Sequence, residues 1–519
     1  MEELGSAATK RTLVRLTIKD LYGDHNRTLG IVFHHSGITV VTGDNGVGKS
    51  TALELLRCCL NISAFTQRQR LFQIAFESIT VEFADGSTIM VIREDLGEAR
   101  HLRVFLDGKE VHMFYEIAES QEHLEMAGRN TRSMSRLTRD FLGLPESRSE
   151  QDHAKALDRD WGLVSRFVSR TTDLDVMQAR LPGSTPRFRD RRRDTYLSIG
   201  QVAEQEFADQ WPANVRDALN RITGDEIPQE LTEFLSNLTT VNISASRLAS
   251  EVRRAKIRQG RDEHVSAMIM YQELVQDEIR KSANEYSRES IRLDREFPNG
   301  LMQFIDEFEN GPVNTENQIF ETEKLLNDMQ NDVEAFERQM TEIGILDEPN
   351  TLTMSQVLTR ARSASSFEKF LTPFLLYYYK NYELKAVNIK GFATRLLLAK
   401  DLINAKLLGK EIRISRESGF TVNQPDGPQL NPDELSSGEQ HLIILYLKLL
   451  IELKPNSIVL IDEPEISWHL KWQSTFIDEL RQIQEQLPSL QFIIATHSMS
   501  ILGENFELEH EITMSGHAQ

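Results

Sequence analysis

Residues 43–50, Gly-Asp-Asn-Gly-Val-Gly-Lys-Ser, fit the pattern Gly-x-x-x-x-Gly-Lys-Ser. Glycines let successive backbone N–H groups close around a β-phosphate, a lysine in this place bridges the β- and γ-phosphates, and a serine hydroxyl ligates Mg²⁺. The chemistry indicated is binding of a nucleoside triphosphate, with Gly43, Asn45, Gly46, Gly48, Lys49, Ser50 and Thr51 as its contacts. A second set is Asp462-Glu463, two carboxylates that close the apolar run Ile458-Val459-Leu460-Ile461. Asp462 suits a Mg²⁺ ligand, direct or through water, and Glu463 suits a base that polarises an attacking water. The run Gln491-Phe492-Ile493-Ile494-Ala495-Thr496-His497 has the same form and ends in His497. Taken alone, that histidine reads first as a strand-end imidazole bonded to a carbonyl, with a γ-phosphate sensor as the alternative. A third set is Ser436-Ser437-Gly438-Glu439, directly ahead of the apolar stretch HLIILYLKLL. A Ser-Gly pair at a helix start is a second anion cradle, and Ser-x-x-Glu is also the pattern of a helix cap. Two cradles for one nucleotide make sense if each serves a different copy of the chain.

These residues need particular elements to hold them. The phosphate loop requires a strand before it and a helix after it. ITVVT precedes Gly43, and a helical pattern runs from Ser50 to about Ile62. LVRLTIKDL and LGIVF alternate like strands, and the runs around Asp85-Gly86 and Asp107-Gly108 read as hairpins. The last 90 or so residues alternate helix and strand (EQHLIILYLKLLIEL, SIVLIDEP, a helix over about 471–486, LQFIIATHS), as a parallel sheet requires. Between these parts the composition changes. Residues 117–165 are polar, as in a surface insertion. Over 201–345 apolar residues recur at helical spacing: Leu248, Val252, Ile257, Val265, Met268 and Leu274 on one segment, and Phe320, Leu325, Met329, Val333, Phe336 and Met340 on another. Pro298-Asn299-Gly300 is expected to interrupt these helices, which form an arm of bundled, coiled-coil-like character. FEKFLTPFLLYYYKNYELK suits a buried helix, and EIRISRESGFTVNQPDGPQL suits two short strands around a turn.

The chain has 519 residues, roughly three domains' worth. Hydrophobic residues make up 40% and charged residues 27%, which permits a large core and excludes wholesale disorder. Asp plus Glu is 79 against 59 Lys plus Arg, a formal charge of −20, so contact with nucleic acid would need a local basic patch. The densest basic run is Arg187, Arg189, Arg191, Arg192 and Arg193, which could meet nucleic-acid phosphates, an acidic partner, or water alone. Cys58 and Cys59 are the only cysteines; they exclude a disulfide scaffold and read as core. No signal-peptide pattern opens the chain and no run of about 20 apolar residues occurs, so a cytoplasmic protein without a membrane segment is expected.

Taken in order, GDNGVGKST, LSSGEQ, LIDEP and ATHS resemble the motif set of the ATP-binding-cassette ATPases, over about residues 12–115 and 380–505. The resemblance implies an α/β P-loop ATPase head whose two lobes come from the N- and C-terminal parts, with a large inserted α-helical arm. The implied domains are residues 1–116 (N-terminal lobe with the phosphate loop), 117–200 (polar insertion and glutamine-loop region), 201–350 (helical arm) and 351–519 (C-terminal lobe). It further implies ATP and Mg²⁺ as cofactors, with Ser50 and Asp462 on the metal and Glu463 and His497 as catalytic residues. In a homodimer of ATP-sandwiched heads, Ser436, Ser437, Gly438 and Glu439 of one copy would cap the nucleotide of the other, and Ser467-Trp468-His469 would touch the partner. Gln178, in LDVMQARL, is the choice for the glutamine loop, with a surface glutamine as the alternative.

Within that superfamily the chain resembles the soluble branch of RecF, the chromosome-maintenance ATPases and the overcoming-lysogenization-defect nucleases. The separation of Lys49 from Ser436 far exceeds that in transporters. EPEISWHLKWQ and LDREFPNGL are similar to segments of ATPase subunits from the Septu, retron and PARIS antiphage systems. That likeness implies an ATP-dependent regulatory subunit controlling an effector, a nuclease or toxin, encoded in trans. A DNA-repair or chromosome-maintenance ATPase is the alternative. The short stretch after His497 is expected to hold no nuclease domain.

Overall fold

The structure is a computed structural model. It describes residues 11–96 except 26, 99–115, short pieces between 159 and 218, 227–244 except 237, 267–309, 316–346, and 368–512 except 426 and 488. Gln178, most of the polar insertion, Arg191 to Arg193, and Leu248, Val252, Ile257 and Val265 lie outside the described residues. The chain divides into two compact units: 1–244 with 454–464 and 489–519, and 245–453 with 465–488.

The first unit holds two large sheets. Strands β1 (Leu13–Lys19), β2 (Thr28–Val32), β4 (Ser78–Phe83), β5 (Thr88–Leu96), β6 (Ala99–Leu106) and β7 (Lys109–Tyr115) form an antiparallel sheet in the order β2-β1-β4-β5-β6-β7. The Asp85-Gly86 and Asp107-Gly108 turns join β4 to β5 and β6 to β7, as their sequences predict. The second sheet is wholly parallel. Its order is β11-β15-β16-β3-β17, with β3 at Ile38–Thr42, β11 at Thr239–Ser244, β15 at Ser457–Asp462, β16 at Gln491–Ala495 and β17 at Glu509–Glu511. Every residue of β3 and β16 is buried, which is why these strands read as mostly apolar runs, with the buried Thr39, Thr42 and Gln491 as the polar exceptions. Helix α1 (Lys49–Leu60) buries Leu53, Leu55, Leu56, Cys58 and Cys59, and α2 (Phe65–Gln73) follows it. The Gln491 amide ties β16 to β1: its Oε1 accepts from Leu13 N at 2.7 Å and its Nε2 donates to Leu13 O at 3.1 Å. Strands β8 (Leu174–Met177), β9 (Arg187–Asp190) and β10 (Thr195–Leu197) make a small antiparallel sheet, and α3 (Gln229–Ser236) leads into β11.

Strand β11 corrects the helical reading of 201–345. TTVNIS is short and mostly polar, and pairs along its length with β15 from Thr239↔Ser457 to Ser244↔Asp462. Its pairing partner lies more than 200 residues away in sequence, so nothing local announces it.

The second unit is mainly helical. It contains α4 (Ala267–Glu309), α5 (Glu316–Glu342) and α6 (Glu368–Asn404), then β12 (Glu411–Ser415), β13 (Gly419–Asn423) and β14 (Gln429–Leu430) as one small antiparallel sheet. Helices α7 (Ser437–Glu452), α8 (Leu470–Gln473) and α9 (Phe476–Gln486) complete it; α10 (Met499–Leu502) belongs to the first unit. Leu375, Tyr379, Tyr382, Ala386, Ile389, Ala393 and Leu396 are buried along α6 at alternating steps of four and three, one continuous stripe. Two expectations fail here. Pro298-Asn299-Gly300 does not interrupt the helix; α4 runs through it to Glu309. The Phe297 ring lies 5.2 Å from that of Tyr377, and Gly300 leaves the space that the Tyr377 ring fills, so packing against α6 outweighs the lost backbone bond. The helix expected over 471–486 is broken at Ser474-Thr475 into α8 and α9. Among the described residues, no helix is long and apolar enough to cross a membrane.

Candidate nucleotide-binding site

Parallel pairing assembles the first part of the site. Asp462 is in register with Ala495, and Ala495 with Val41. The residues that follow each strand, Gly43, Glu463 and Thr496-His497, therefore emerge along one edge, the carboxyl edge where ligands bind in such sheets. Gly43, Gly46 and Gly48 have φ of 139°, 79° and 100°. A Cβ on Gly43 would sit 2.6 Å from Ile512 O, so the loop tolerates no side chain there. Gly48 caps α1 without a side-chain hydrogen bond, which leaves the first-turn N–H groups for an anion.

Lys49 is 4% exposed, and its Nζ donates to Gly43 O at 2.7 Å and to Asp44 O at 3.2 Å. Nζ also lies 3.1 Å from His497 Nδ1. The other ring nitrogen, Nε2, is 3.8 Å from Glu463 Oε1. Ser50 Oγ donates to Asp462 Oδ1 at 2.8 Å. Glu463 takes φ 50° and donates its N–H to Ala495 O at 2.8 Å, which turns the chain sharply after β15. Asn45 is exposed on the loop. Lys49, Ser50, Asp462, Glu463 and His497 are thus brought together. A nucleotide phosphate chain fits the glycine cradle, and Mg²⁺, which takes one or two protein oxygens and otherwise phosphate and water, fits the adjoining Ser50 hydroxyl and Asp462 carboxylate. Among the described residues, no group of three or more His, Cys, Asp or Glu could hold a metal by itself.

Sequence reasoning missed two neighbours of this loop. Arg27 donates to Val47 O at 2.5 Å and to Gly46 O at 3.3 Å, and its guanidinium lies 5.2 Å from the Tyr22 ring centroid. Tyr22 takes φ 66° and its hydroxyl lies 2.6 Å from Thr51 Oγ1. Both come from the β1–β2 connection, which carries no motif; the left-handed backbones of Asp20 and Tyr22, invisible in sequence, mark it.

The second cradle belongs to the second unit. Ser436 is the N-cap of α7, and Glu439 N donates to Ser436 Oγ at 3.3 Å while Ser436 N donates to Glu439 Oε2 at 2.9 Å. The sequence's helix cap is present, and Ser436 and Ser437 remain exposed while Gly438 is buried. A Cβ on Gly438 would run into the carbonyl oxygen of Ser467, whose φ is 68°. Trp468 is buried edge-on against Phe476 at 5.2 Å, and Gln473 Nε2 donates to Trp468 O at 3.1 Å. Burial works to raise the Glu439 pKa, but the Lys410 ammonium beside it, helped by Ser436, holds it below the usual glutamate value.

Over 104 residues the chain is 33% identical to the Retron Vc95 probable ATPase of Vibrio cholerae serotype O1 biovar El Tor; this is 18% of the chain and 20% of that protein's length. Among solved structures it is similar to an Smc head domain with an extended coiled coil bound to the C-terminal domain of ScpA, derived from Pyrococcus furiosus (13% identity, 95% of this chain and 91% of that one, TM-score 0.35). It is also similar to the SMC head domain from Thermotoga maritima (12% identity, 96% and 94%, TM-score 0.31). Scores this low add nothing to the fold read from the strands themselves. The AAA ATPase domain family matches residues 25–502, from the loop before β2 to the end of α10 and so across every element that carries the phosphate loop and the acidic strand, and the chain belongs to that family.

Proposed function

We propose that this AAA ATPase-domain protein hydrolyses ATP in a site shared by two copies of the chain, and that it is the regulatory subunit of a bacterial antiphage system. The observation that carries the hydrolytic part is the meeting of Lys49, Ser50, Asp462, Glu463 and His497 at one sheet edge. Lys49 would neutralise phosphate charge, Ser50 and Asp462 would hold Mg²⁺, and the Glu463 carboxylate would orient and polarise the attacking water. The metal, when bound, offsets the charge that builds on the phosphate oxygens. His497 places an imidazole between Lys49 and Glu463, within reach of a γ-phosphate.

Sharing between copies is supported by the second cradle. Ser436 and Ser437 are exposed at the start of α7, where a nucleotide held by another copy can meet them. In the segment beside Gly438, Trp468 and Gln473 are buried while Ile466 and Leu470 are 40% and 65% exposed, apolar groups suited to a second copy. Glu439 completes the cap that presents Ser436. The regulatory part is supported by the likeness to a retron ATPase, short as it is, and by the long helices α4–α6, which offer a docking surface for an effector, a nuclease or toxin encoded in trans.

Glu463→Gln is the test. It keeps the shape and removes the base, so ATP should still bind while turnover falls at least about a hundredfold. Light scattering with ATP should then show trapped dimers. Turnover at the parent rate would remove Glu463 from this role. For the regulatory part, the chain is co-expressed with the protein encoded beside it. Toxicity that needs both and changes with Glu463→Gln supports the reading, and toxicity or nucleic-acid cleavage by this chain alone counts against it.

A further inference from the structure

Lys410, which no motif marks, holds the acid of the second anion cradle. It stands just ahead of β12, and its Nζ donates to both Glu439 oxygens, at 2.8 and 2.9 Å. Glu439 Oε2 also accepts the Ser436 hydroxyl proton at 2.9 Å and the Ser436 N–H at 2.9 Å. The Lys410 and Glu439 side chains are 24% and 13% exposed, so water screens this pair less than it screens a surface ion pair.

The arrangement conflicts with anion binding unless it is balanced. Ser436 has one hydroxyl proton, and it is given to a carboxylate. A phosphate approaching Ser436 meets a negative charge one hydrogen bond behind the hydroxyl. Two unit charges about 6 Å apart at an effective dielectric of about 20 repel enough to shift an equilibrium roughly a hundredfold, and partial screening lowers this to about tenfold.

We propose that Lys410 is a positioning residue for the nucleotide bound by the other copy: it cancels the Glu439 charge and occupies its oxygens, so that the Ser436 hydroxyl can turn from Glu439 to the γ-phosphate. The proposal rests on the shared site above and adds to it the counter-charge without which Glu439 would repel the ligand that Ser436 must meet. On that shared-site reading, its effect falls on the closure of two heads, because Ser436 serves the nucleotide of the other copy.

The experiment measures ATP-driven dimerisation by analytical ultracentrifugation in the Glu463→Gln background. Lys410→Ala should weaken the dimer about tenfold. Lys410→Arg, which keeps the charge, should restore most of the loss. Lys410→Ala combined with Glu439→Gln should also recover, because no charge is left to cancel. A purely structural anchor predicts the opposite for this pair, since Gln caps no better than Glu and both partners are gone. Unchanged dimerisation in Lys410→Ala, or a double variant as weak as Lys410→Ala, overturns the proposal and leaves the shared site standing. Failure of the Glu463→Gln parent to dimerise with ATP overturns both.

Discussion

The Lys49 ammonium is drawn into the glycine loop and is buried there against two loop carbonyls and His497. A cation so placed is already desolvated and oriented, so phosphate oxygens can replace the carbonyls at little cost in order. Lys49→Ala should lower ATP affinity by about tenfold to a hundredfold, the worth of a charge-assisted hydrogen bond. Calorimetric titration checks this; unchanged affinity would remove the loop from nucleotide binding. Glu439 bears on stability as well as on ligand approach. Its folded pKa is depressed, so the unfolded chain binds the proton more readily at acid pH. Its contribution is complete above the ordinary glutamate value and is lost as pH falls through the lowered one. Glu439→Gln should therefore flatten the acid side of the stability–pH curve, measured by urea unfolding, while a curve of unchanged slope would show that the Lys410 contact contributes nothing.

At the scale of elements, α7 and the turn around Ser467 meet at Gly438. The glycine is required less for flexibility than for clearance, because the Ser467 carbonyl occupies the place of a Cβ. Gly438→Ala must push the Ser467-Trp468 turn off the start of α7 or strain the cap. A loss of about 1–3 kcal/mol is expected, as for other overpacked sites. Denaturant unfolding measures it, and a fully stable Gly438→Ala would mean the turn yields freely. The same physics of packing explains α4. Pro298 should end a helix considered alone, yet the Tyr377 ring seated at Gly300 and the Phe297 contacts hold it together. That compensation joins Phe297 to Tyr377, 80 positions apart, and has no local signature.

For the whole molecule the question is whether the two cradles work on one nucleotide. Ser436→Arg puts a bulky cation at the exposed cap of α7 and leaves residues 43–51 unaltered. If the site is shared as proposed, ATP should still bind each head, while ATP-driven dimers and turnover fall by about tenfold or more, because the guanidinium would fill the space of the partner's phosphate. Sedimentation with and without ATP reads this. Normal hydrolysis by Ser436→Arg would place the complete site within one copy.

The phosphate loop, the acidic strand and the capped helix were all legible in residues 43–51, 458–463 and 436–439, because each depends on neighbours in sequence: glycines for positive φ, a buried run for a parallel strand, Ser-x-x-Glu for a cap. The antiparallel hairpins were legible for the same reason, through their Asp-Gly turns. Membership of the AAA ATPase domain family follows from the sequence as well. Only the tertiary structure decided that β11 lines the parallel sheet, that Arg27 and Tyr22 brace the phosphate loop, and that Lys410 grips Glu439. Each of these joins residues that no motif connects, and in each the partner is chosen by which backbone edges and charges the folded chain brings within a few ångströms. Local propensity and spacing act over a turn of helix or a hairpin; pairing across the fold is settled by packing, which single residues do not encode.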